Sequence, residues 1–183
     1  YYWPGIYRQV RNKVKDCVDC LRNRAVFRQV PEMKSTPPSQ LWERVSMDTL
    51  GPLPVSKRGN RYILIAVDNC SKWPECAAYA KADADTVCKF FADRVVSYHG
   101  VPSTVVTDNG SEFNNGMSNA MLLSLGCQHK YSPGYHPQGN GMAEAVVKTV
   151  TVALQRCVAQ DPTTWCEKLP MVVLGMRAAK HST

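Results

Sequence analysis

Apolar positions along the chain follow two periods, and the switches between them lay out the elements. Arg44–Thr49 alternates apolar and polar residues, and Arg61–Asn69 is rich in β-branched and aromatic ones, so both read as strands, the second buried. Glu75–Lys81 reads as an edge strand. From Asp85 to His99 the residues Val87, Cys88, Phe91, Val95 and Tyr98 make one helical stripe, and Gly100 supplies the stop. Ser103–Thr107 is a short strand ending at Asp108, Met117–Leu125 a helix ended by Gly126, and Cys127–Tyr131 a further strand. The stretch Ser132–Gly141 holds too much Pro and Gly to continue an element. Beyond it Ala143, Val146, Val147, Val150, Leu154, Cys157 and Val158 recur at helical spacing, the core stripe of a long helix. The order β-β-β-α-β-α-β-α-α predicts an α/β domain, a mixed sheet with helices around it.

Pro31, Pro37 and Pro38, set among Ser35, Thr36 and Ser39, can continue neither a helix nor a central strand. They predict a linker over 25–40 between a small segment, 1–24, and a main domain, 41–183. With 44% apolar residues the chain can bury a core, which excludes wholesale disorder. Its longest apolar run, Tyr62–Val67, is far short of the roughly 20 residues of a membrane-spanning helix. The opening Tyr1-Tyr2-Trp3-Pro4-Gly5 has neither an initiator Met nor a secretory signal, so the chain reads as an excised fragment that is not secreted. Eight cysteines are too sparse for a disulfide scaffold and are expected as thiols, with Cys70, Cys76, Cys88, Cys127, Cys157 and Cys166 mostly small core residues. Charge narrows the class of partner. The formal net charge is +7, and residues 1–34 carry eight basic side chains against three acids, or +5 of it. A basic segment this dense suits a polyanion, nucleic acid first, the bland reading being a solvated basic face.

Three carboxylates stand at chemically useful places: Asp48 within the first strand, Asp108 at the end of a later one, and Glu144 on the first turn of the long helix. An arbitrary trio of acids is ordinarily solvated surface. Asp48, however, lies in a half-buried strand where an unpaired carboxylate is costly, and Asp108 lies at a carboxyl strand end where α/β sheets place ligands. Three converging carboxylates repel one another unless divalent cations sit among them, and hard oxygen ligands suit Mg²⁺ or Mn²⁺ rather than zinc. Two such ions about 4 Å apart activate an attacking oxygen and stabilise a leaving one, which is phosphoryl-transfer chemistry.

Asp48, Asp108 and, after 35 intervening residues, Glu144 resemble the DD(35)E triad of retroviral and gypsy-type LTR-retrotransposon integrases. The surrounding words are similar too: Ser71-Lys72-Trp73-Pro74-Glu75, Thr107-Asp108-Asn109-Gly110, the run Tyr135-His136-Pro137-Gln138-Gly139-Asn140-Gly141-Met142-Ala143-Glu144, Trp165 with Leu169-Pro170, and His181-Ser182-Thr183. The resemblance implies a ribonuclease-H-like fold, a mixed five-stranded sheet flanked by helices. It also implies an enzyme that trims element DNA ends and joins them to host DNA, with Asp48, Asp108 and Glu144 holding two Mg²⁺ or Mn²⁺ ions. Element DNA ends, host target DNA and further copies of the chain are the implied partners. No membrane and no nucleotide cofactor enter, and the nucleus is the implied location. Ala145 departs from the Arg that follows the catalytic Glu in many of these integrases.

Upstream, Trp3-Pro4-Gly5-Ile6-Tyr7 leading to Cys17-x2-Cys20 resembles the end of the integrase His-His-Cys-Cys zinc module, which makes 1–24 a helical remnant of it. Two cysteines are half a tetrahedral site, so Zn²⁺ is expected only in the complete module. In the glycine-rich loop, Tyr135, Gln138 and Asn140 are the side chains expected to touch a DNA end. Lys148, one helical turn after Glu144, either meets a DNA phosphate or pairs with Glu144. The rival reading is a host-derived or decayed copy that binds nucleic acid without catalysis, whose mark would be a lost carboxylate. A ribonuclease H would share the fold but has no reason to carry the upstream cysteines or the Pro-Gln-Gly-Asn-Gly loop.

Overall fold

The computed structural model describes residues 3–17, 40–132 and 141–179. Helix α1 spans Ile6–Lys15, with Lys13 and Lys15 in its last turn, where positive charge meets the negative end of the helix dipole. The main domain follows with β1 (Arg44–Leu50), β2 (Tyr62–Asp68), β3 (Pro74–Tyr79) and α2 (Ala84–Phe90), which runs on through Phe91–Val96 and a last turn, Ser97–His99. Then come β4 (Thr104–Thr107), α3 (Gly116–Ser124), β5 (Gln128–Tyr131), α4 (Gly141–Cys157) and α5 (Trp165–Ala178), the last entered by a 3₁₀ turn at Pro162–Thr164. The expected linker over 25–40 lies outside the described residues but for its last residue, and so do residues 18–24 and residues 133–140 of the expected loop.

The strands form one sheet in the order β3-β2-β1-β4-β5. The first three are antiparallel neighbours, whereas β4 joins β1, and β5 joins β4, in parallel. Side chains directly opposite one another share a face, so the register divides the core in two. Val45, Met47, Leu64, Ala66 and Val105 point to one side, under Phe90, Phe91, Val95, Phe113 and Leu122. Ile63, Ile65 and Val67 point to the other, under Val146, Val150 and Leu154 of α4 and Trp165 and Leu169 of α5. Residues 63–67 are all fully buried, because β2 is covered on both faces. Ile63, Leu64, Ile65 and Val67 each contribute about 1.5–3 kcal/mol over their exposed state. A mixed five-stranded sheet in this order, with helices on both faces, is a ribonuclease-H-like fold.

Two expectations need correction. The stripe through Asp85–His99 ends early: Tyr98 is 72% exposed, while Phe90, outside the expected stripe, is fully buried. The cause is a widening of the helix. Ser97 N–H donates to the carbonyl of Ala92, five residues back, and the π-helical turn over Phe91–Val96 rotates everything after it. Among the cysteines, Cys127 and Cys166 are buried as expected, but Cys70, on the turn after β2, and Cys157, on the outer side of α4, are exposed.

The Ser71–Glu75 word is structural. The Glu75 carboxylate, 8% exposed, accepts from Arg177 Nη2 at 2.7 Å, Trp73 Nε1 at 3.0 Å and His99 Nε2 at 3.1 Å. Arg177 also donates through Nε and Nη2 to the Pro74 carbonyl and stacks 4.7 Å from the Trp73 ring centroid. This network fastens the end of α5 to the edge strand β3.

Candidate catalytic site

The parallel pairing of β1 and β4 brings the first two carboxylates to the same end of the sheet. Asp48 lies opposite Ile65, and so on the face covered by α4 and α5. The parallel ladder of β1 and β4 pairs Ser46 with Val106, and Asp108, just past the end of β4, lies close enough to Asp48 for its charge to act on that carboxyl. Helix α4 packs on β1 and β2 through Ala143, Val146 and Val150, which leaves Glu144 half-buried at its first turn, at the Asp48 end of the sheet. Asp108 is exposed just past β4; its Oδ1 accepts from Gly110 N–H at 3.0 Å, and Asp48 Oδ1 accepts from Thr49 N–H at 2.7 Å.

The electrostatics record the convergence. The Asp48 carboxyl is pushed up to about 6, first by burial and then by the negative charges of Asp108, Glu144 and Glu112, against the downward pull of the Thr49 N–H. Glu112 is a fourth acid at the site, one that no element pattern in the sequence marks. Phe113 and Asn114 N–H both donate to the Gly110 carbonyl, and this turn folds Glu112 back over Gly110. A Cβ on Gly110 would lie 2.7 Å from Glu112 Oε2 and 3.0 Å from Asp108 Oδ1. The four-residue spacing to Asp108 was visible in the sequence; the direction of the turn was not.

A polar shelf adjoins Asp108. Thr107 Oγ1 lies 2.8 Å from the Asp108 carbonyl oxygen and 2.9 Å from His129 Nε2, and His129 Nδ1 lies 2.8 Å from Asn119 Oδ1. Tyr131 Oη is 2.9 Å from that same oxygen and 3.1 Å from Asn114 Oδ1. Burial holds the His129 imidazole below its ordinary pKa. The Thr107 hydroxyl donates its proton to the Asp108 carbonyl, which leaves its oxygen as an acceptor toward His129.

The donor set is oxygen throughout, and none of the four acids is ion-paired to a Lys or Arg among the described residues. Hard divalent cations fit such a set. Among the described residues no three His, Cys, Asp or Glu side chains already stand at metal-holding distances, so the site is a gathering of like charge rather than a finished cage. Lys148 is exposed on α4 and forms no ion pair with Glu144 among the described residues. Tyr135, Gln138 and Asn140 lie outside the described residues. Of the cysteine pair, Cys17 is half-buried just beyond α1 and Cys20 lies outside the described residues.

Comparison with known proteins supplies the family context. Residues 38–137 match the family described as Integrase core domain. A Caenorhabditis elegans protein designated Uncharacterized protein K02A2.6 is 32% identical over 149 residues, covering 81% of this chain and 11% of its own length. The Transposon Tf2-3 polyprotein of Schizosaccharomyces pombe is 28% identical over 185 residues, covering 100% of this chain and 14% of the polyprotein. The chain thus spans about a tenth to a seventh of the length of these relatives. In fold it is similar to a chain of the simian T-cell lymphotropic virus intasome solved in complex with PP2A regulatory subunit B56 gamma. The TM-score is 0.70 at 16% identity, covering 96% of this chain and 62% of that one.

Proposed function

This chain belongs to the integrase core domain family, and we propose that it is the core of a retroelement integrase that transfers polynucleotide strands with the help of divalent metal ions. The observation that carries the proposal is the convergence of Asp48, Asp108 and Glu144 from two parallel neighbouring strands and one helix. In this reading the three carboxylates hold Mg²⁺ or Mn²⁺, with Glu112 adding negative potential beside them. The ions supply activation of the attacking oxygen and stabilisation of the leaving one. Asp48 is fixed by its strand and by the Thr49 N–H, Asp108 by the Gly110 N–H, and Glu144 by the packing of α4, so the chain's part is to present oxygens with little freedom left to lose.

Water is the nucleophile in trimming an element end, and the freed 3′ hydroxyl is the nucleophile in joining it to target DNA. Lys148, free of Glu144, is suited to hold a phosphate of the bound strand, and Tyr135, Gln138 and Asn140 are assigned to the DNA end. We further assign residues 1–24 to the end of a zinc-binding module in which Cys17 and Cys20 would be two of four ligands, 25–40 to a linker and 41–183 to the catalytic core, acting in the nucleus as a multimer on element and host DNA.

The test is Mg²⁺- or Mn²⁺-dependent strand transfer by the wild-type chain and by Asp108→Asn. The substitution is nearly isosteric and removes one charge from the ion site. An at least hundredfold loss of product with an unchanged circular dichroism spectrum is expected, about 3 kcal/mol in barrier. Turnover retained in the variant would sink the assignment.

A further inference from the structure

Helical spacing carries the site onward from the carboxylates. Glu144, Lys148, Thr151 and Gln155 follow one another at four, three and four residues and so form one line along α4. Opposite the far end of that line runs the chain that leaves β1 after Asp48. There Leu50, Leu53 and Pro54, with Leu154, Val158 and Trp165, wall an open groove of about 580 Å³. Trp165 Nε1 donates to the Pro54 carbonyl at 2.8 Å, which fixes the wall to the floor. Among the described residues no charged side chain lines the groove, and the nearby Asp161 is occupied by Lys57 Nζ at 3.1 Å. Thr151 spends its hydroxyl on the Val147 carbonyl, whereas the exposed Gln155 amide makes no hydrogen bond among the described residues.

We infer that this groove is a base-binding subsite: it takes one unstacked nucleobase of the DNA strand whose phosphodiester lies at Asp48, Asp108 and Glu144, and the Gln155 amide reads that base's edge. The inference rests on the polynucleotidyl-transfer reading above. Apolar walls accept the faces of a base, and one free amide offers the donor and acceptor its edge requires. An uncharged lining would be a poor place for a phosphate, while Lys148, midway between carboxylates and groove, meets the phosphates that lead there. An amide pairs in two-point fashion with adenine, so adenine is the base preferred.

The experiment uses the 183-residue chain with Ca²⁺ and DNA duplexes bearing a single-stranded 3′ overhang, with 2-aminopurine placed in turn at each overhang position. One position is expected to brighten severalfold on binding, as its base leaves the stack. Ala159→Phe, which fills the groove from an exposed rim position, should abolish that brightening and weaken binding about tenfold with its salt dependence unchanged. Gln155→Leu should keep the brightening and lose the preference for adenine there. Bound DNA with no bright position, or brightening that survives Ala159→Phe, overturns the subsite. Lys148→Ala separates the two readings: it should lower the salt slope by about one while the brightening remains. An unchanged slope would remove Lys148 from the DNA path without touching the groove, and a chain that bound no DNA would overturn both readings.

Discussion

Asp48 shows what the site costs the fold. An aspartate in the unfolded chain titrates near 3.8, and here burial and three neighbouring acids push it up to about 6. The folded protein therefore holds this proton more tightly than the unfolded one. What Asp48 contributes to stability is fully present below about pH 4 and is lost as pH rises through 6. At neutral pH without metal the charged side chain is a burden. The rise from 3.8 to about 6, discounted for partial solvent access, corresponds to about 1–2 kcal/mol. Asp48→Asn should accordingly raise the melting temperature of the metal-free protein by about 2–6 °C at pH 7.5 and by nothing at pH 4. Equal melting temperatures at pH 7.5 would contradict the strain. Gly110 offers a second test at this scale. A Cβ there would displace the carboxylate of Glu112 or Asp108, so Gly110→Ala should cut strand transfer at least tenfold while melting within about 2 °C of wild type. Full activity would mean that these two carboxylates need not keep their places.

Elements hold the site through contacts remote from it. The end of α5 is fastened to β3 by Arg177, whose loss would leave the Glu75 carboxylate buried with, among the described residues, Trp73 and His99 as partners and strip two donors from the Pro74 carbonyl. Removing one partner of a buried pair costs about 3–5 kcal/mol. Arg177 is partly exposed, so Arg177→Ala should destabilise the chain by about 2–4 kcal/mol in urea unfolding, and a loss under about 1 kcal/mol would show the network to be ornamental. How much of each element the sequence disclosed follows from what holds it. Strand β2 was legible because burial on both faces demands an unbroken apolar run, and α4 because its stripe meets a single sheet face. The turn of helix after α2 was not: its widening depends on how Phe90 and Phe91 seat against the sheet, which no local period encodes.

Across the whole molecule, the same division separates the three carboxylates that could be read from the one that could not. Asp48 marks a place on a strand, Asp108 the end of one, and Glu144 the start of a helix after a breaker-rich stretch, so an alternation of elements suffices to align them. Glu112 sits on an irregular turn whose course is set by two backbone hydrogen bonds to Gly110. The base groove was illegible for a related reason, since it joins residues 50–54 to residues 151–165 across the sheet. What unites these parts is a sheet that places negative charge at one end of a basic protein, carrying +7 overall, an arrangement suited to cations and then to DNA.

The most direct test of that account is a Mn²⁺ titration followed by electron paramagnetic resonance on the wild-type chain and on Asp48→Asn, Asp108→Asn and Glu144→Gln. Each substitution removes one charged oxygen ligand without changing side-chain size, and each should weaken saturable Mn²⁺ binding by at least tenfold, about 1.4 kcal/mol. Equal Mn²⁺ affinity in all four proteins would contradict it.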